Sequence, residues 1–410
     1  MKIRTLFLSI LAFASIEGNA QKYVGGDISM LTKYEEAGVI YKDKSGNTVS
    51  DVLAFFKQEG LNSMRVRLFV DPSKASATHQ KEGVVQDLDY VIALGKRIKS
   101  AGLSFMLDFH YSDTWTDPGK HSTPSAWNGM TVEQITQRVY DYTKECLNKL
   151  NEAGATPDFI QPGNEITYGM LWPTGHIYPA GGGQDGGTWD NFTGYLASAI
   201  KACKESCPSA QIVIQTEMSK AANVTNFYKT LKGYANISYD ILGLSYYPDY
   251  HGSMANFENV INSLEKDYPD KKIMVVETGY SYAWHIGNTY NLESTYPLTE
   301  EGQRKFTADL ITMLNNHSSV NGLYWWWPED NGNKSVTTNW WNAALYNHNT
   351  GQPWAAFYEL KNFLSEDASV HGISTDGEIN GNIYDLSGRH ITEMQKPGIY
   401  IKNKRKVIQK

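Results

Sequence analysis

Two short stretches place a glutamate directly after an apolar run: "FIQPGNEITYG", which carries Glu165, and "IMVVETG", which carries Glu277. A pair of carboxyl groups facing each other across a cleft can cleave a glycosidic bond. One protonates the leaving oxygen; in the retaining version the other, about 5–5.5 Å away, attacks the anomeric carbon, whereas inverting enzymes need about 6.5–9.5 Å to admit a water. A single glutamate in such a place is more often an N-cap or a salt-bridge partner of the next helix. Two with the same local pattern shift the balance toward chemistry, because other strand ends offer Arg65, Arg67, Asp108, His110, Asn164, Glu217, Tyr246, Tyr247 and Trp325 to Trp327.

Elements must bring these distant residues together. Short β-like runs alternate with helix-period segments, as in a parallel α/β fold. The runs are Tyr23 to Ile28, Ser63 to Phe69, Leu103 to His110, Phe159 to Asn164, Ile212 to Thr216, Ile241 to Tyr246, Ile273 to Glu277 and Leu323 to Trp327. Between them lie segments such as "DLDYVIALGKRIKSAG" and "TVEQITQRVYDYTKECLNKLNEAG". Asp87 suits an N-cap, Thr299 and Glu300 a first turn, and Gly60, Gly102 and Gly154 the left-handed end of a helix. Eight such units predict an α/β fold, a (β/α)8 TIM barrel, whose reactive groups gather at the C-terminal ends of the strands. Strands four and seven then face each other across its mouth. A doubly wound open sheet is the competitor, but no G-x-G-x-x-G follows the first strand.

Within that frame Arg65 and Arg67 alternate onto one face, and either could keep a nucleophilic carboxylate ionised. Tyr246 could donate a hydrogen bond to it. The run "DFHYSDTWTDPGKH" invites a metal reading through Asp108, His110, Asp113, Asp117 and His121, but it lacks a ligand spacing such as H-E-x-x-H, so no catalytic metal is expected. Trp115, Trp127, Trp172 and the Trp325 to Trp327 run are candidate platforms for sugar rings.

Composition narrows the class. The chain has 410 residues, a net charge of -7 and 12% aromatic residues, with 11 Trp and 26 Tyr. That charge argues against a nucleic-acid partner. The opening "MKIRTLFLSILAFASIEGNAQ" follows the plan of a secretory signal over residues 1–20, and no later run reaches the ~20 apolar residues of a membrane span. An exported protein is expected, whether secreted, periplasmic or at the cell surface. Three cysteines, Cys146, Cys203 and Cys207, are too few for a disulfide framework, although Cys203 and Cys207 could pair. The remainder divides into 21–364, the barrel, and 365–410, a tail of short β segments with turns at Ser387-Gly388 and Pro397-Gly398.

The motifs "GLNSMRVRLFVDP", "LDFHYSDTWTDPGKHSTPSAW", "GNEITYGMLWP", "SYYPDYHG", "VVETGYSY" and "GLYWWWPED" together resemble the endo-β-1,4-galactanases of glycoside hydrolase family 53, over about residues 22 to 363. The resemblance implies a clan A barrel and a retaining mechanism acting on β-1,4-galactan, the side chains of pectin and type I arabinogalactan. It makes Glu165 the acid/base and Glu277 the nucleophile, and it puts Asn164 on the sugar 2-hydroxyl, Trp326 under that sugar and Trp115 as a further platform. The assigned roles call for a raised pKa at Glu165 and a lowered one at Glu277. A departure is that many relatives read Trp-Glu-Pro where this chain has Trp326, Trp327 and Pro328. Some bacterial relatives hold a structural calcium after strand seven, yet Ser281 to Thr299 shows no clear ligand set. No cofactor is expected, and the enzyme is expected to be a monomer. The tail from Gly381 resembles C-terminal segments of exported Bacteroidetes proteins, which suggests sorting. Rival readings are another clan A endo-β-glycanase, a mannanase or endoglucanase, and a non-catalytic polysaccharide-binding protein.

Overall fold

Each apolar run forms a short strand and pairs in parallel with the next. The strands are β1 (Tyr23–Asp27), β2 (Ser63–Leu68), β3 (Ser104–Phe109), β4 (Phe159–Pro162), β5 (Gln211–Glu217), β6 (Ile241–Tyr246), β7 (Lys272–Thr278) and β8 (Val320–Trp326). They form a closed barrel in sequence order, with β1 also paired to β8. Parallel neighbours need a crossover. The main crossover helices are α1 (Val52–Gln58), α2 (Leu88–Ser100), α3 (Val132–Glu152), α4 (Trp189–Ser206), α5 (Ala221–Leu231), α6 (Met254–Asp267) and α7 (Glu300–Asn315), and α8 (Ala355–Glu359) follows β8. This is the (β/α)8 barrel that the alternation predicts.

The computed structural model describes residues 21–364 apart from 219, 288, 334–337 and 339, together with the backbone of 383–384, 390–391, 398–402 and 405–409. The signal reading of residues 1–20 and the turn at Ser387-Gly388 lie outside the described residues, as does Pro397.

Local signals explain where the helices begin. Asp87 caps α2 by accepting from the Tyr90 N–H, Thr299 caps α7 by accepting from Gly302, and Thr131 and Gln134 form a reciprocal capping box on α3. Past the ends of α1, α2 and α3, Gly60, Gly102 and Gly154 hold φ values of 101°, 69° and 76°, which a side chain would oppose.

Period two divides the strand residues between two cores. Met106, Phe159, Val213, Ile241, Met274, Val276 and Tyr324 fill the barrel interior. Val66, Leu107, Ile160, Ile214, Leu244, Val275 and Leu323 belong to the larger core under the helices. At β7 the alternation breaks. Leu244 pairs with Val275, but Ser245 pairs with Glu277, so Val276 is the extra residue of a bulge. Without that bulge Glu277, following the inward Val276, would point at the helices.

Cys146 on α3, Cys203 on α4 and Cys207 just beyond it are buried and unpaired. Residues Ser365–Lys410 are a separate compact unit. It contains β9 (Ile383–Tyr384), β10 (His390–Ile391), β11 (Gly398–Lys402) and β12 (Arg405–Gln409), an antiparallel sheet in the order β10-β9-β11-β12. Among the described residues no helix is long and apolar enough to cross a membrane.

Candidate active site

At the C-terminal end of the barrel a cavity of about 820 Å³ is lined by His110, Trp115, Asn164, Glu165, Glu277 and Trp326, among others. Thus the two glutamates that share a sequence pattern also share a cavity.

The floor is organised by Arg65, fully buried on β2. Its Nη1 donates to Asp27 Oδ2 at 2.9 Å; its Nη2 lies 2.8 Å from both Asp108 Oδ2 and Glu277 Oε1, and donates to Asn164 Oδ1 at 3.0 Å. Burial opposes its charge, but Asp108, Glu277 and Asp27 outweigh it and raise the guanidinium pKa further. Asp108 is held below its ordinary value: burial raises it, and Arg65 and His110 more than reverse that. Arg67, two residues on, does something different. It donates to Asp27 Oδ1 at 3.0 Å, and its guanidinium carbon lies 4.6 Å from the Trp115 ring, 5.2 Å from Trp326 and 4.9 Å from Trp327. Of the two arginines, Arg65 faces the β7 glutamate and Arg67 backs the tryptophans.

Glu277 has three donors. Oε1 faces Arg65 and accepts from Gln215 Nε2 at 2.9 Å, while Oε2 accepts from the Tyr247 hydroxyl at 3.0 Å. Burial raises its pKa, and Arg65 and Gln215 pull it back without cancelling the rise. The expectation of a lowered value is therefore corrected: desolvation at the barrel mouth exceeds the pull of the cation. Glu165 is raised much further, by burial first and then by the charges of Glu277 and Glu217. The order expected, Glu165 raised above Glu277, is kept. Glu165 also adopts φ 48° and ψ 49°, a left-handed conformation rare for a side-chain-bearing residue, immediately after β4.

The tyrosine expected at the nucleophile is also corrected. Tyr246 donates to the Gly252 carbonyl at 3.0 Å and stacks on Phe257, in the layer under the helices. Ile241 points into the barrel, so period two continues inward through Gly243 and Ser245 to Tyr247, and Tyr246 faces the other way.

Asn164 donates from Nδ2 to the Thr116 carbonyl at 2.8 Å. His110 Nδ1 accepts from the Thr116 N–H at 3.2 Å, which leaves the ring hydrogen on Nε2, 3.2 Å from Asp108 Oδ2. The rest of the metal-like run disperses. Asp113 accepts from Ser125, Asp117 pairs with Lys120, and His121 is buried beside Trp172, where burial drives its pKa down to about 3. Among the described residues no group of three or more His, Cys, Asp and Glu is placed to hold a metal ion. Of the candidate platforms, Trp115, Trp326 and Trp327 line the cavity, whereas Trp127 and Trp325 are core residues and Trp172 stacks on His176 with ring centroids 3.5 Å apart. In the loop after β8, Glu329 is buried and accepts from the Met30 N–H, so a glutamate does anchor this loop, two residues beyond Trp327.

The loop after β7 holds a histidine between two acidic side chains. His285 Nδ1 lies 3.1 Å from Asp249 Oδ1 and its Nε2 2.7 Å from Glu293 Oε1, so an imidazole already sits between the acidic side chains there.

The reading of strand ends leaves out Asp27, Gln161 and Gln215, all buried in this network. Stepping back two residues from Glu217 along "QIVIQTE" is the signal that finds Gln215.

The chain matches the model of glycosyl hydrolase family 53 over residues 23–358. It is 31% identical to arabinogalactan endo-beta-1,4-galactanase A of Aspergillus niger over 339 residues, 80% of this chain and 90% of that one. It is 32% identical to an arabinogalactan endo-beta-1,4-galactanase of Thermothelomyces thermophilus over 328 residues, 75% of this chain and 90% of that one. The catalytic domain of an Ignisphaera aggregans member of the family superposes with a TM-score of 0.74 at 29% identity, covering 84% of this chain and 96% of that one. The chain belongs to glycosyl hydrolase family 53.

Proposed function

We propose that this protein is an endo-acting β-1,4-galactanase that cleaves the galactan side chains of pectin and type I arabinogalactan by double displacement, with retention. The observation that carries the reading is the unequal treatment of two carboxyls in one cavity. Glu277 faces Arg65 at 2.8 Å, whereas among the described residues no cation pairs with Glu165, and its pKa is raised well above the ordinary value.

In the first half-reaction Glu277 attacks the anomeric carbon while Glu165 gives its proton to the departing glycosidic oxygen. The C–O bond to the leaving sugar breaks as the glycosyl-enzyme ester forms. Oε1 of Glu277 is occupied by two donors and Oε2 by one, so Oε2 is the freer oxygen for attack. In the second half-reaction Glu165, now a carboxylate, takes a proton from water, whose oxygen replaces Glu277 at the anomeric carbon. Asn164 has given one amide hydrogen to Thr116 and keeps the other for the sugar 2-hydroxyl. Trp326 and Trp115 offer apolar ring faces to the sugar, braced from behind by Arg67. The chemistry needs no cofactor. The working form is a monomer exported from the cell, with residues 365–410 serving sorting or surface retention.

The galactanase names of the relatives support the choice of substrate. Digestion of linear β-1,4-galactan, followed by NMR, should show oligosaccharides released first as the β-anomer, and Glu277→Ala should abolish turnover while binding persists. Hydrolysis of mannan or cellulose but not galactan would overturn the substrate, an α-anomer the mechanism. Release of nothing by the wild type would favour a binding protein.

A further inference from the structure

Gln215 lies on β5, fully buried, between the two glutamates. Its Oε1 accepts the backbone N–H of Glu165 at 3.0 Å and Gln161 Nε2 at 2.5 Å. Its Nε2 donates to Glu277 Oε1 at 2.9 Å and to Ser245 Oγ at 2.9 Å. The partners leave no freedom in these directions: a backbone N–H can only donate and a carboxylate only accept. Both amide hydrogens are therefore used, one on the nucleophile, and the carbonyl holds the backbone of the acid/base. A carboxylate in this place would turn an acceptor toward Glu277, and an alkyl group would satisfy neither side. Glu165 needs such an anchor because it holds a left-handed conformation with φ 48°.

We propose that Gln215 is the positioning residue of the reaction, a single amide that fixes the left-handed turn of Glu165 through its carbonyl and orients the Glu277 carboxylate through its NH2. The inference rests on the reading of Glu165 as acid/base and Glu277 as nucleophile. A donor on a carboxylate also favours its ionised form. Gln215 is one of the two groups that draw Glu277 down against its burial.

The test is the pH dependence of kcat and KM for the full-length enzyme and for Gln215→Leu and Gln215→Glu. Linear galactan is one substrate and a dinitrophenyl β-galactobioside the other, since its leaving group departs without a proton. Gln215→Leu should lose on the order of 10²-fold in kcat on galactan, with KM changed far less. Its acid limb should rise by about one pH unit on both substrates, because the nucleophile has lost a donor. Gln215→Glu, nearly isosteric, should work only where the new carboxyl is protonated and can donate again, so its optimum moves to acid pH. That variant decides the matter should the leucine variant fail to fold. Wild-type limbs in Gln215→Glu, or a fall in kcat that only follows the loss of folded protein, would overturn the positioning role. Glu277→Ala separates the two questions. Activity retained there sinks the assignment of the nucleophile, whereas an inactive Glu277→Ala beside unmoved Gln215 profiles sinks this inference alone.

Discussion

Tyr246 and Tyr247 are adjacent and both buried, yet they answer to different forces. In the proposed mechanism Tyr247 donates to a carboxylate that must be charged, so its hydrogen bond is of the stronger, charge-assisted kind. Tyr247→Phe should lower kcat about tenfold, the equivalent of roughly 1.4 kcal/mol, with little change in KM. Tyr246→Phe removes a bond to a backbone carbonyl and leaves the Phe257 stack in place. It should cost about 1 kcal/mol in a urea melt and leave kcat/KM unchanged. The reverse result would restore Tyr246 to the site. From sequence the two are a coin toss unless the face of the strand is counted from its first residue, and Ile241 settles the count. The two glutamates were legible because each ends an apolar run. Asp27, Gln161 and Gln215 were not, because a buried polar residue inside a strand is visible only through partners contributed by other strands.

At the scale of elements, strands and caps could be read in advance because each depends on neighbours a few residues away. The bulge at Val276 could not. It is a register difference between two strands, set by the pairing of β6 with β7, and it alone turns Glu277 inward. The loop after β7 gives a second case. Both nitrogens of His285 face carboxylate oxygens, which only accept, so the imidazolium is the form this site favours, tying Asp249 on the short helix Pro248–His251 to Glu293. Burial lowers its pKa, but the bonds to Glu293 and Asp249 prevail and leave it raised above 6.5. A raised folded-state value means stabilisation that is complete below the ordinary histidine range and lost as the pH climbs through the folded value. The melting temperature of His285→Ala should therefore lie furthest below wild type at pH below the ordinary histidine range, and the gap should narrow as the pH rises above it. A gap that widens with pH would refute the imidazolium.

Over the whole molecule, the aromatic content that hinted at sugar binding serves mostly the core. Phe55, Phe56, Tyr346 and Phe357 pack together in the larger core, whereas among the described residues a few indoles and tyrosines line the cavity. Composition counts residues without regard to face, so it could suggest a class of substrate but not a site. The thiols have a different consequence. Cys146, Cys203 and Cys207 are buried, and burial pushes all three pKa values up, that of Cys146 to about 12. An alkylating reagent needs a thiolate at the surface, so it can react only when the α3–α4 layer opens. The native enzyme thus contains its own unfolding clock. Labelling should be negligible in buffer and should rise with urea in step with loss of the helical signal, and fast modification of the folded enzyme would show that this layer breathes independently of the barrel. In an oxidising compartment the same burial makes the reduced state of these sulfurs a record of how rarely the fold has opened.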